Sequence, residues 1–488
     1  MPDTGDYVTT GVPGMDRVMR GGLPRDRITL IRGPYGCGKT TMALQFLAEG
    51  ARFGDKCLFI STAEPEKEIR FIARSHGIDL NDITLRHYAS EKHIVEQTMV
   101  HPAEVELPGM IEAIVSMVDE IGPARLVIDS LVELRLLARD DRWYRQQLLI
   151  LRSQLAERRC TVLLADVSVE PRHSVLNTIV SAAIFAEERT PSYGGTRWRL
   201  RIDKLVGKAF FSGYHDYRIV TGGVRIYPRL VAAEYRQETG LKVASTGNEE
   251  LDSMLGGGLD RGSSTLLLGP SGTGKSSLII QCVHAAAERG ESSLVYIFDE
   301  RPHTFFKRAA NLGLDLEPYV GKGLVSVRKL DPAELSPGEF SEIVRARIES
   351  NGVRYVAIDS LNGYAFAMPD ERYLTVHIHE LSNFLNLQDV STLYTMAQSS
   401  VATGQSTTPL EVSYISDTVV LCRHFEYEGA VRKAISVHKR RTGAHESTLR
   451  ELTLGPDGLT VGRPLKEFRG ILGGAPELLA NNRDTPID

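Results

Sequence analysis

Two octets in this sequence carry residue types whose spacing can hold a chain of phosphates. One is Gly33-Pro34-Tyr35-Gly36-Cys37-Gly38-Lys39-Thr40 and the other Gly269-Pro270-Ser271-Gly272-Thr273-Gly274-Lys275-Ser276. Both fit G-x-x-x-x-G-K-[ST]. Glycines allow the backbone to curl so that successive N–H groups converge on phosphate oxygens, and the helix that follows adds its positive end. The pattern assigns Lys39 and Lys275 to the β- and γ-phosphates and Thr40 and Ser276 to a magnesium ion. Thr41 and Ser277 complete each cradle. ATP with Mg2+ is the expected ligand of both.

Each octet needs a carboxylate for the metal shell. Asp129 closes the apolar run RLVID and Asp359 closes YVAID, and each precedes a serine. This is the Walker B arrangement. A third element follows the second apolar run of each half, where Glu64 stands in Thr62-Ala63-Glu64 and two acids stand in Phe298-Asp299-Glu300. A carboxylate there can orient and deprotonate an attacking water or hydroxyl.

The elements that position these groups occur twice. MDRVMRGGLPRDRITLIRGPYGCGKTTMALQFL from Met15 matches LDSMLGGGLDRGSSTLLLGPSGTGKSSLIIQCV from Leu251 at a constant offset of 236 residues. A period this long marks a duplicated domain. Each half reads as strand, glycine turn, helix, strand. Ile28 to Arg32 and Thr265 to Leu268 are short β-type runs, Thr40 to Arg52 and Ser276 to Arg289 have helical periodicity, and CLFIST and SLVYIF have the length of buried parallel strands. Strands alternating with helices predict an α/β domain with a mostly parallel sheet. The expected boundaries are 1–234 for the first domain, 235–248 for a linker, 249–465 for the second domain and 466–488 for a flexible polar tail.

Composition narrows the class. The 488 residues carry 57 basic and 62 acidic side chains, a net charge of −5, with 42% hydrophobic and 24% charged residues. That balance argues against a chain whose work is to coat nucleic acid or an anionic membrane. No run of about 18 apolar residues predicts a membrane span. The polar start MPDTGDYVTT lacks the signal-peptide pattern, and the five cysteines have no paired spacing. A reduced cytoplasmic protein without a cysteine zinc site is expected.

With the two octets, the two IDS strand ends and ISDTVVL (Ile415 to Leu421) in place, the chain resembles the KaiC family of tandem RecA-like ATPases. The resemblance runs from about Thr10 to about Gly474. It implies two RecA-like domains and a six-membered ring with Mg-ATP between neighbours. It also implies an ATPase with serine/threonine autokinase activity in the second half, and a signalling partner such as a KaiB-like protein, response regulator or kinase. The family's adjacent glutamates correspond to Ala63 and Glu64 in the first half and to Asp299 and Glu300 in the second. Its K-x-R pair, which reaches a neighbour's γ-phosphate, corresponds to Lys439 and Arg441. In the first half it reads Lys204-Leu205-Val206, without the arginine. An alternative alignment gives that role to Arg201. The family's Ser-Thr phosphoacceptor pair corresponds to Ser413 and Tyr414, so Ser413 is the candidate acceptor. The departures predict a first domain that binds ATP and turns it over weakly or not at all.

Two other readings use the same residues. A DNA-acting RecA relative would need basic loops, yet Ser399 to Ser413 carries one acid and no base. A nucleotide-sensing scaffold with little catalysis draws on Ala63 and Val206. Cys37 reads as filler in its loop, His438 to Arg441 as phosphate sensors rather than a nucleic-acid patch, and His76, His87 and His93 as non-ligands. Met99 to Leu107 reads as a connecting loop, and Trp143 and Tyr144 as a subunit contact.

Overall fold

The computed structural model describes residues 5–88, 103–167, 176–191, 194–235, 242–331, 333–366, 374–398, 414–471 and 477–478. The chain divides into two compact units, Met1–Arg229 and Leu230–Asp488. Leu230 and Ala232, inside the span 1–234, pack in a core of the second unit, and Tyr235 meets Phe384 edge-on at 4.7 Å.

The first unit is built on β1 (Ile28–Gly33), β2 (Cys57–Ser61), β3 (Ile83–His87), β4 (Arg125–Asp129), β5 (Thr161–Val167), β6 (Ala182–Arg189), β7 (Arg197–Leu205), β8 (His215–Val220) and β9 (Gly223–Tyr227). These form one nine-stranded sheet in the order β9-β8-β7-β6-β1-β5-β4-β2-β3. The strands from β6 to β3 are parallel, and β7, β8 and β9 add an antiparallel extension. Continuous burial along β1, β2 and β4 follows from helices on both faces. Side chains alternate between the faces. Ile31, Phe59 and Val127 pack with α1 (Lys39–Arg52) and α2 (Glu66–Ser75), while Leu30, Ile60 and Ile128 pack with α3 (Ala103–Ile121) and α5 (Asp141–Ala156). The short α4 (Val132–Leu136) follows β4.

The second unit repeats this plan with β10 (Ser264–Gly269), β11 (Ser293–Ile297), β12 (Val325–Lys329), β13 (Tyr355–Asp359), β14 (Ser391–Ala397), β15 (Thr418–Tyr427), β16 (Ala430–Arg440), β17 (Arg450–Gly455) and β18 (Gly458–Pro464). Its order is β18-β17-β16-β15-β10-β14-β13-β11-β12, the order of the first sheet. The octet helix is α6 (Lys275–Glu288), followed by α7 (Pro302–Asn311), α8 (Pro337–Asn351), α9 (Leu361–Phe366) and α10 (Leu374–Leu387). The two units are tandem RecA-like α/β domains.

Three local expectations change. Residues 103–107 are not loop but the start of α3, whose buried residues Leu107, Met110, Ile111, Ile114 and Val118 fall at helical spacing on one face. Burial of that stripe outweighs the lost hydrogen bond at Pro108. Tyr144 is not at a surface contact: it is 3% exposed and packs with Leu148, Leu151 and Leu155, while Trp143 is half-buried beneath the Arg139 guanidinium at 5.0 Å. Within the expected tail, Phe468 and Ile471 pack. Ile471 is buried beside Phe425, and the Phe468 ring lies 5.4 Å from that of Phe425. No helix among the described residues is long and apolar enough to cross a membrane.

His215 closes the first unit. Its Nδ1 accepts the Arg229 N–H at 2.9 Å, so its Nε2–H donates to the Phe211 carbonyl at 2.9 Å. Burial, with Arg229 nearby, pushes the imidazole from its ordinary value near 6.5 down to about 4. The unfolded chain therefore takes up the proton first as pH falls. The stability His215 confers is complete above about pH 6.5 and is lost towards pH 4. Chemical denaturation between pH 7 and 4 is expected to give His215→Gln a shallower pH slope than the parent.

Candidate functional site

Both octets sit where β1 and β10 end. At that point the strand order reverses direction around the central strand, which opens a crevice at the carboxyl edge of the sheet. Gly36 and Gly38 have φ of 77° and 80°, and Gly272 and Gly274 have φ of 82° and 100°. These left-handed angles let each loop turn back over its strand. The lysines behave alike. Lys39 Nζ donates to the carbonyls of Gly33 at 3.0 Å and Pro34 at 2.6 Å, and Lys275 Nζ to those of Gly269 at 2.8 Å and Pro270 at 2.7 Å. Burial pulls the Lys275 ammonium below its ordinary range. Thr273 is buried and its hydroxyl donates to the Pro270 carbonyl at 2.8 Å. Cys37 is buried, and burial raises its thiol, so it is a filler 3.6 Å from Lys39 Nζ.

Two strands from each octet, Asp129 and Asp359 end β4 and β13. Thr40 Oγ1 donates to Asp129 Oδ2 at 2.6 Å. Burial raises the Asp129 carboxyl, and Thr40 and Lys39 oppose that shift. In the second unit Thr395 on β14 donates to Asp359 Oδ1 at 2.5 Å, where the register of β5 places Ala165 in the first. A hydroxyl beside a carboxylate, with a buried ammonium on the same loop, suits magnesium and a triphosphate. Among the described residues no group of three or more His, Cys, Asp and Glu forms a separate metal cluster.

The third element lies beside these acids because β2 pairs with β4 and β11 with β13. Phe298 N–H donates to the Asp359 carbonyl at 3.0 Å and Thr62 N–H to that of Asp129 at 2.9 Å. In the second unit Ser360 Oγ donates to Asp299 Oδ2 at 2.7 Å, and Glu300 pairs with Arg308 on α7. Burial raises the Glu300 carboxyl, and Arg308 opposes the shift. Lys275, Ser276, Asp299, Glu300, Asp359 and Arg308 line one cavity of about 430 Å³. The first unit differs at the matching places. Ala63 has no carboxylate, Glu64 is exposed, and Ile72 stands where α7 has Arg308. A Cβ on Gly363 would come within 2.6 Å of Asp299 Oδ1, so a larger residue at this turn of α9 would displace that carboxylate from its place; the first unit has Glu133 there.

The late strands settle the register of the K-x-R pair. Lys204 pairs with Ala183 and Lys439 with Val419, each at the same bulge, so Val206 stands where the second unit has Arg441. Val206 is 57% exposed. Arg201 is engaged elsewhere, with Asp203 at 2.7 Å, the Tyr214 hydroxyl, and its guanidinium over Phe185 at 4.6 Å. Lys439 Nζ donates to the Ser416 carbonyl at 2.8 Å, and Arg441 lies 3.5 Å from Asp417. Burial, then neighbouring Arg441, lowers the Lys439 ammonium. Ser413 lies outside the described residues; Tyr414 beside it is exposed. Ser360, Gly363, Thr395 and Arg308 escaped the sequence reading. Ser360 alone had a local signal, the serine of the IDS strand end.

Tandem RecA-like domains, each with a glycine-cradled lysine and a strand-end aspartate, define a P-loop ATPase class. A family model described as the KaiC ATPase matches residues 8–231 and again 244–466, and the chain belongs to that family. It is 29% identical to the circadian clock protein KaiC3 of Synechocystis, over 98% of this chain and 96% of that protein. It is 25% identical to the circadian clock oscillator protein KaiC of Acaryochloris marina, over 96% and 91%, and 26% identical to that of Synechococcus elongatus, over 96% and 91%.

Gly363→Ala is expected to push Asp299 aside. ATP turnover at the second site should fall by about tenfold to a hundredfold while Mg-ATP affinity holds within about threefold. Nucleotide titration and phosphate release on the same preparation check both.

Proposed function

We propose that the protein is a ring-forming KaiC-type ATPase whose two sites have different work. The observation that carries this reading is the second cavity, which gathers Lys275, Ser276, Asp359 and two further carboxylates, set against a first site with a methyl group at residue 63. In the second site Lys275 and the loop N–H groups of Gly272, Gly274 and Ser277 hold the phosphates. Ser276 and Asp359 hold magnesium, which when bound neutralises charge developing on the β- and γ-phosphates. Asp299 or Glu300 takes the proton of the attacking group. Lys439 and Arg441 reach the nucleotide of a neighbouring subunit in a homohexamer. A cation delivered in trans is worth about 10³–10⁵ in rate.

The first site holds Mg-ATP through Lys39, Thr40 and Asp129. It lacks both the carboxylate at residue 63 and the cation at residue 206, so its nucleotide serves assembly more than turnover. Glu64 is the remaining acid there. Ser413 is the proposed acceptor if the second site transfers phosphoryl to protein. Tyr414 places its hydroxyl too far out to replace a threonine, which argues against a two-site cycle of the kind a self-sustained clock would use. A nucleotide-sensing role towards a KaiB-like protein, response regulator or kinase is the second reading, favoured by the same Ala63 and Val206.

Phosphate release, intact mass and phosphopeptide mapping after incubation with Mg-ATP test this. Lys275→Ala should cut phosphate release by about tenfold or more and abolish any phosphate on Ser413. Lys39→Ala should chiefly reduce ring mass. Turnover unaffected by Lys275→Ala would instead favour the scaffold.

A further inference from the structure

The second cavity holds three carboxylates, Asp299, Glu300 and Asp359, and one guanidinium of the same chain, Arg308. Resting on the ATPase reading above, we propose that Arg308 is a positioning residue. It ties Glu300 to α7 and so leaves Asp299 as the carboxylate that meets the attacking water.

Three observations bear on this. Arg308 has a fixed seat: its Nη2 donates to Glu300 Oε1 and its guanidinium lies 5.7 Å from the ring of Phe305, which is fully buried. Its Nε is buried without a hydrogen-bond partner, and among the described residues Glu300 is the carboxylate that pairs with this cation. Asp299 is held differently. Ser360 Oγ donates to one oxygen, Oδ2, and among the described residues no donor reaches the other, Oδ1, which lies beside the bare Cα of Gly363. One acid is thus paired in place, and its neighbour, which also lines the cavity, keeps one oxygen without a donor among the described residues.

The first unit supplies the contrast. It has Ala63 in place of Asp299, and there Ile72 replaces Arg308 although Glu64 is retained. Where no acid stands at the first position, the second is left untied. In the second site the water oxygen bonds to the γ-phosphorus, its proton passes to Asp299, and the bridging oxygen leaves with ADP. A free Glu300 would compete for that water and add uncompensated negative charge beside the triphosphate.

The test is a double-mutant cycle on the full chain, read as kcat and KM for Mg-ATP. Lys275→Ala defines the background from the first site. Arg308→Met should lower second-site kcat by about tenfold, and Arg308→Lys should recover most of it. In a Glu300→Gln background, whatever its own rate, Arg308→Met should cost less than about twofold, because no carboxylate remains to be held. An equal loss in both backgrounds would overturn the proposal and make Arg308 a direct phosphate contact. No loss in either would make the pair a surface contact of α7. Thermal unfolding of Arg308→Met and Arg308→Lys separates loss of fold from loss of rate. Turnover unchanged by Lys275→Ala would sink the ATPase reading itself, whatever the cycle shows.

Discussion

A buried lysine ammonium needs an anion, and in each domain the architecture supplies a place for one. Lys39 and Lys275 fold back onto two carbonyls of their own loops, which satisfies part of their hydrogen bonding and none of their charge. The loop can make that turn because glycines take left-handed angles there, and the loop lies at the carboxyl edge because β1 and β10 are the central parallel strands. The strand-end aspartates, the hydroxyls and the third-element acids all reach the same edge because β4 and β13 lie two strands away in the same direction.

Duplication kept this frame and let the chemistry around it drift. The sheets share strand order, bulge position and loop conformation. Asp299, Arg308 and Thr395 line the second cavity where the first unit has Ala63, Ile72 and Ala165, Gly363 stands against Glu133 beside Asp299, and Arg441 stands against Val206 at the end of the late strand. Several are paired by space. Asp299 sits where a Cβ on residue 363 would press on it, and Glu300 pairs with the Arg308 that α7 brings.

The same frame shows how a basic residue can share a strand with Lys204 and be engaged elsewhere. Arg201 is near the right strand and has the right charge, yet Asp203, Tyr214 and Phe185 hold it. Position along the strand, rather than residue type, separates Arg441 from Arg201.

The sequence by itself determined the octets, the strand-end acids, the repeat and the α/β plan, because these rest on local backbone needs and on short apolar periods, while the RecA-like class came through the family resemblance. It also exposed Ala63 and Val206, since a missing side chain is visible in a line of text. It misread residues 103–107, where Pro108 outweighed a stripe whose value lies in burial, and Tyr144, whose aromatic ring gives no local sign of which side it faces. Arg308, Thr395 and Gly363 became legible only in three dimensions. Each acts on a partner 8 to 64 residues away in the chain, across helix and strand packing that no local spacing encodes. What the tertiary structure decided is which of two neighbouring acids is tied down and which keeps an oxygen without a donor among the described residues, because that depends on the distance to a cation carried by another element.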